Sequence, residues 1–309
     1  MVVGIDIGYG YTKIYSDSAK LIFPTLVSRN IPIGDFGDNS VIITVNDVPY
    51  IVGEHTEVLM GNFRVTKDFV GSPEYYAILG YALHSLKIRP SSVILGLPPA
   101  FFNKQIAQDL TLKLYSQVIR NSSGSIITIP QKIEYIPQGT GIYFSHISNG
   151  NFDYHKKNVM VIDIGYYTID TALFCSGKYI IEAGKSYPAG ICLLIDRIKT
   201  AYGKKYGSFI GDDAAEKLLK KGEFTHFGVT HTLNVAEVIE RFIDDQLMSV
   251  IKDYATFVKG LQKTVDYVLL GGGGVTYLAN YIRNATIVND PQFANAKGFY
   301  EYGKSIEES

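Results

Sequence analysis

Five residues occur twice in this chain. Ile5-Asp6-Ile7-Gly8-Tyr9 is repeated letter for letter, about half the chain length later, as Ile162-Asp163-Ile164-Gly165-Tyr166. Apolar residues precede both copies (Val2, Val3 and Val159, Met160, Val161), and a threonine follows each turn, Thr12 and Thr168. A repeat at half-length predicts two related domains, and a length of 309 residues suits two. Each copy reads as a buried strand, a sharp glycine turn and a second strand. A glycine turn alone is ordinary hairpin chemistry. A lone carboxylate at the end of an apolar run is a costly placement without a partner. In the first copy Gly8 and Gly10 bring bare N–H groups close to an anion, Thr12 adds a hydroxyl and Lys13 a fixed positive charge. That set suits a metal-bound phosphate chain: the acid faces the hydrated cation, while the amides and Lys13 face phosphate oxygens. Two such hairpins facing each other would hold a nucleotide's phosphate tail between them.

Charge narrows the partners. The formal net charge is −1 with no long run of like charge, so no basic nucleic-acid groove is signalled. Lys156-Lys157 and Lys220-Lys221 read as solvated turns and helix faces. Cys175 and Cys192 sit amid apolar neighbours and read as reduced core thiols of a cytoplasmic protein, not a disulfide framework. The first residues enter a strand without a charged leader, and no apolar run is long enough to span a bilayer. There is no HExxH, CxxC, Walker A or GxSxG pattern, and the six histidines are scattered rather than spaced for a metal.

Periodicity and punctuation predict the elements. After the opening hairpin come a strand near Lys20–Phe23 and a hairpin from Val41–Val45 and Pro49–Val52 around Asn46-Asp47. A helix is expected over Pro73–Leu86, a buried strand over Ser91–Leu97, a helix from Phe102 to Ile119, and short strands at Ile126–Ile129 and Ile133–Ile136. The loop from Pro137 to Gly141 opens a short helix through Ile142–His146. The polar stretch 149–157 is the expected domain boundary. The second half is expected to give strands at Asn158–Asp163, Thr168–Phe174 and Tyr179–Ala183, then helices over Ala189–Tyr202 and Asp212–Lys221. Asp212 is the expected N-cap of the latter, and Gly222 its stop. Asn234, with Glu237 in capping-box position, should start a helix reaching about Val258. A buried strand, Asp266–Leu270, runs into Gly271-Gly272-Gly273-Gly274. A helix over Val275–Ile282, a strand at Thr286–Val288 and a helix over Pro291–Tyr302 close the chain. This order argues an α/β protein of two domains with mixed sheets.

Four segments now line up: Asp6–Lys13, Gln138–Gly141, Asp163–Asp170 and Gly271–Gly274. In that order they resemble the first phosphate loop, first connecting helix, second phosphate loop and adenosine loop of the actin, sugar kinase and heat-shock chaperone superfamily. Within it the chain looks most like the ParM plasmid-segregation type and its archaeal relatives. Phe23-Pro24-Thr25, Gly96-Leu97-Pro98 and the segment Phe293–Phe299, similar to that group's last helix, carry this. The resemblance implies a two-domain actin-like ATPase fold, each domain a mixed five-stranded-type sheet with helices, with a nucleotide cleft between. The domains would be 1–148 plus 291–309, and 149–290.

By that resemblance Gly8, Gly10, Thr12 and Lys13 would contact the β- and γ-phosphates. Asp6 and Asp163 would hold Mg²⁺ through water. Gln138 would position the attacking water by its amide. Gly165 and Thr168 would offer donors to the γ-phosphate, and Asp170 would lie near the metal or the ribose. Gly271, Gly272, Gly273 and Gly274 would admit adenine and ribose close to the backbone, with Glu216 and Lys217 on a flanking helix. The implied cofactors are ATP/ADP and Mg²⁺. The implied partners are further copies in a filament, with an adaptor linking it to DNA or other cargo. A neutral Gln138 in place of a strong base suits slow hydrolysis and a timer. A small-molecule kinase of the same superfamily and a non-polymerising nucleotide sensor stay open at this point.

Overall fold

The computed structural model describes residues 1–29, 41–53, 63–64, 69–148 and 156–308. Two compact units emerge, Met1–Asn151 with Phe293–Ser309, and Phe152–Gln292.

The first unit opens with β1 (Val2–Ile7), β2 (Tyr11–Tyr15), β3 (Lys20–Pro24), β4 (Leu26–Ser28), β5 (Ile42–Val45), β6 (Val48–Val52) and β7 (Phe63–Arg64). Then come α1 (Pro73–Ser85), β8 (Ser92–Leu97), α2 (Lys104–Tyr115), β9 (Ile119–Arg120), β10 (Lys132–Pro137) and α3 (Thr140–Ile147). A mixed sheet runs β10-β8-β1-β2-β3, and a second sheet β7-β4-β6-β5-β9. β1 and β8 are buried at every position, as strands covered on both faces must be.

The second unit holds β11 (Asn158–Ile164), β12 (Ile169–Cys175), β13 (Lys178–Tyr179), β14 (Lys185–Tyr187), α4 (Ile191–Tyr206) and α5 (Asp212–Lys221). It continues through β15 (Glu223–His226), β16 (Val229–Thr232), α6 (Val235–Phe242), α7 (Met248–Gly260), β17 (Tyr267–Gly271), α8 (Val275–Leu278) and β18 (Thr286–Ile287). Its main sheet runs β13-β12-β11-β17-β18, with β14 also pairing β12. Finally α9 (Ala294–Glu307) rejoins the first unit. It brings Phe299 and Tyr300 onto Val2, Ile94 and Ile136.

Several predicted boundaries move, each for a local reason. The helix expected to Ile119 stops at Tyr115, because β-branched Val118-Ile119 turn to sheet and Ile119 pairs with Val45. Ile126–Ile129 is not a strand; only a bridge to Arg120 forms before Pro130. Beyond Tyr179 the chain turns into a 3₁₀ segment, Ile181–Ala183, whose Ala183 carbonyl accepts from the Tyr254 hydroxyl at 2.7 Å. Gly211 is the N-cap of α5 rather than Asp212, which instead pairs with Lys199 at 2.8 Å. The long helix from Asn234 forms as expected and continues to Gly260, with a π-segment at Ile243–Leu247 inside it. Asn234 makes no side-chain cap bond there, and Glu237 pairs forward with Arg241 rather than back. The β15–β16 hairpin, hidden in polar residues, was not predicted, and α9 starts at Ala294 rather than at Pro291. The expected boundary at 149–157 falls largely outside the described residues.

Candidate functional site

In the first unit the site begins with register. β1 pairs antiparallel with β2 so that Asp6 stands directly opposite Lys13. Lys13 Nζ lies 3.1 Å from Asp6 Oδ2, with Asp6 4% and Lys13 8% exposed. The other carboxylate oxygen, Oδ1, accepts from Gln138 Nε2 at 3.1 Å. Gln138 arrives there because β10 runs parallel to β8 and its own N–H bonds the Leu97 carbonyl at 2.7 Å. Gly139 follows at φ 82°, a left-handed turn that starts α3, and its N–H is taken by Asn295 Oδ1 of α9 at 3.0 Å. Asp6, Lys13 and Gln138 thus form one buried network at the edge of the Gly8–Gly10 turn.

The Thr12 side chain faces the other way. It is fully buried, and its hydroxyl lies 2.9 Å from that of Thr25. Successive strand residues face opposite ways, so Thr12 points away from the face that carries Asp6 and Lys13. It anchors the turn from beneath.

The second unit repeats the frame with different chemistry. β11 pairs with β12 so that Asp163 stands directly opposite Asp170. Both are buried, at 6% and 4% exposure. Thr168 Oγ1 donates to Asp170 Oδ2 at 3.0 Å. Thr168 therefore shares a face with Asp170, whereas Thr12 lies on the opposite face from Lys13. The turn at Gly165 closes through its N–H to the Thr168 carbonyl at 2.9 Å. The outward carbonyls of Tyr166 and Tyr167 are taken by Cys192 and Gly190 at the start of α4, at 2.8 and 3.1 Å. Sequence reasoning missed Gly190; the signal was a glycine in the first turn of a predicted helix, where it instead forms the N-cap. The negative charge reaches its surroundings: burial first, then the Asp170 carboxylate, pushes the Tyr179 phenol up to about 12.

The glycine run lies at the end of β17, which is parallel to β11 with Gly271 opposite Asp163. Gly272 has φ +90°, and a Cβ there would collide with Asp163 Oδ1. This turn can be made only by glycine. Gly274 N–H bonds the Ile164 carbonyl at 2.8 Å, and Gly273 faces Gln292 more loosely. Of the flanking pair, Glu216 is mostly covered and lies 3.7 Å from Lys220. Lys217 is exposed and reaches back to Asp213 at 3.3 Å.

Among the described residues no group of three or more His, Cys, Asp or Glu side chains assembles. A cation here would have two carboxylates at most from this unit, with the remainder from water and phosphate oxygens. That donor set is the one Mg²⁺ uses. Asp163 and Asp170, two carboxylates in register on neighbouring strands, suit such an ion. Among the described residues no helix is long and apolar enough to cross a membrane.

Twin acid–glycine hairpins on paired α/β units define the actin-like fold. Residues 4–141 match the family model of actin-like protein N-terminal domains, and residues 161–284 that of the C-terminal domain of archaeal actin homologue MreB-like proteins. The chain belongs to the actin-like proteins. Archaeal actin homologs from Thermoplasma volcanium and Thermoplasma acidophilum are each 24% identical over 97% of this chain and 97% of their own. A crystal structure of an archaeal actin homolog in complex with ADP matches at TM-score 0.79 and 20% identity, covering 100% of both chains. A 15-stranded ParM filament from Clostridium botulinum matches at 0.77 and 21% identity, covering 98% of this chain and 99% of that one.

Proposed function

We propose that this protein is an actin-like ATPase that binds Mg²⁺-ATP through the loops of both units, assembles with further copies into cytoplasmic filaments and hydrolyses ATP slowly. The observation that carries this reading is the unequal pair of hairpins. At the same register position one has Lys13 and the other Asp170. At that position the first loop would add a cation for phosphate, and the second a further carboxylate for a metal. Gly8, Gly10 and Lys13 would engage phosphate oxygens, with Thr12 as their support. Asp6 and Asp163, joined by Asp170, would hold the hydrated Mg²⁺. Gly165 and Thr168 would donate to the γ-phosphate, and Gly271–Gly274 would receive the nucleoside, flanked by Glu216 and Lys217. Mg²⁺ when bound would neutralise the phosphate charge that develops in transfer.

Gln138 would orient the attacking water, and its bond to Asp6 holds it in place. A carboxamide cannot take a proton as a base does, which favours slow turnover. Likeness in fold to a ParM that forms filaments supports self-assembly. An adaptor would join a filament to DNA or other cargo, since the balanced charge of the sequence signals no basic nucleic-acid groove.

The test is right-angle light scattering with parallel phosphate release on addition of Mg²⁺-ATP. Scattering that rises above a critical concentration, with phosphate following slowly, is expected. Flat scattering with turnover only after candidate acceptors are added would instead identify a kinase, and flat scattering without turnover a sensor. Two variants sharpen the chemistry. Asp163→Asn should reduce phosphate release at least about 100-fold, the scale of losing one transition-state charge partner. Undiminished turnover would remove Asp163 from the metal site. Gln138→Ala should slow release about 100-fold through a misplaced water while ATP affinity stays within about twofold. A collapse of affinity would make Gln138 a binding residue instead.

A further inference from the structure

Behind the first phosphate turn lies a group of phenols that the nucleotide reading does not use. Tyr75 and Tyr76 stand in the first turn of α1, and Tyr135 lies on β10, three residues before Gln138. Their exposures are 1%, 3% and 3%. No hydrogen bond of good geometry satisfies any of the three hydroxyls among the described residues, although those of Tyr75 and Tyr135 lie close enough to interact with each other directly. The rings form a contiguous wall to the turn itself: Tyr9 packs on Phe69 at 5.4 Å, Phe69 on Tyr75 at 5.7 Å, and Tyr75 on Tyr76 at 5.8 Å.

Buried tyrosine hydroxyls ordinarily find a partner, and leaving one unpaired costs its full desolvation. Three together point to a shared partner. The phenols are near enough to act on one another. Burial, then Tyr135 and Tyr76, with a further push from Asp6, hold the Tyr75 proton far more tightly than usual. Burial does the same to Tyr135. All three therefore stay neutral, and a neutral partner that can both accept from them and donate to them satisfies the whole set.

A metal ion does not suit this lining, because its three hydroxyls are neutral and hard cations are held by carboxylates and carbonyls. A small neutral molecule that both donates and accepts does suit it, and water is the one a sealed core admits.

We propose that Tyr75, Tyr76 and Tyr135 enclose an internal hydration site behind the first phosphate turn, its water bridging their hydroxyls. The site is independent of nucleotide, so its test does not rest on ATP binding.

Tyr75→Phe, Tyr135→Phe and the double variant of the full chain test it by thermal melting. Phenylalanine keeps the ring and removes only the hydroxyl. Each single change should lower Tm by about 2–4 °C, the scale of one lost hydrogen bond in a unit of this size. The double change should lower it by less than the sum, because both act on one water. Unchanged or raised Tm in both single variants would overturn the site, since deleting an orphaned hydroxyl relieves a cost. A water-to-ring nuclear Overhauser effect at Tyr75 or Tyr135 gives an independent reading. It should appear in the unmodified protein and weaken in both variants. Its absence in the unmodified protein would also overturn the proposal.

Discussion

Asp6→Asn will lower the melting temperature of the nucleotide-free protein by about 10 °C, before any question of catalysis arises. Asp6 is the counter-charge of Lys13 at 3.1 Å, and both side chains are at most 10% exposed. An exposed ion pair contributes about 0–1 kcal/mol. Removing one partner of a buried pair costs about 3–5 kcal/mol, because the other charge is left without compensation. In a domain of this size each kcal/mol moves Tm by about 2–4 °C. Asparagine keeps the shape of aspartate and an oxygen that can still accept from Gln138, so the loss would be specific to charge. The rescue distinguishes this from general damage. Asp6→Asn combined with Lys13→Met removes both charges and should recover at least half of the lost stability. Melting of the single variant within about 2 °C of the unmodified protein would show that Lys13 finds solvent instead. The same reasoning shapes the functional experiment: loss of ATP turnover in an Asp6 variant has to be read at a temperature where that variant is still folded.

The pair of acid–glycine turns was legible in the sequence because everything that makes them is local. An apolar run, one acid and a glycine within a few residues leave little else for the chain to do. What those turns face was harder to see. Thr12 and Thr168 look equivalent as the threonines that follow the two turns, yet pairing puts Ile7 opposite Thr12 and Ile164 opposite Ile169. Counted from each aspartate, Thr12 matches Ile169 and Lys13 matches Asp170. A one-residue offset changes the face of the sheet, and only the hydrogen-bonded register reveals it. Gln138 was legible as the residue before Gly139, but its bond to Asp6 depends on a parallel pairing between strands far apart in sequence. The misses elsewhere share a cause. The β15–β16 hairpin is polar and mostly exposed, so it carries no alternation of apolar and polar residues to read. The helix after Asn234 has uninterrupted helical periodicity, and its π-segment comes from an extra residue per turn that no breaker announces.

Gly298→Ala will prevent the first unit from folding, or destabilise it by more than about 4 kcal/mol. The reason lies where α3 crosses α9. A Cβ on Gly298 would fall on the carbonyl oxygen of Gly141, and one on Gly141 would lie 2.5 Å from the Asn295 carbonyl oxygen. Overpacking in a core that can adjust its side chains costs about 1–3 kcal/mol. Here both sides of the contact are backbone, so no rotamer change relieves it and one helix has to move. Moving α9 pulls on Phe299, which is fully buried beside Val2, Ile94 and Ile136. It also pulls on Asn295, whose side chain holds the Gly139 N–H at 3.0 Å, one residue after Gln138. The damage would therefore run from a helix crossing to the candidate catalytic amide without touching any proposed ligand. The measurement is soluble yield and thermal melting of Gly298→Ala beside Ser305→Ala, an exposed change on the same helix. The serine variant should melt within about 1–2 °C of the unmodified protein. A Gly298→Ala protein that does the same would mean that α3 and α9 can separate freely, and that Gly139 does not rely on Asn295 to shape the turn beside Asp6.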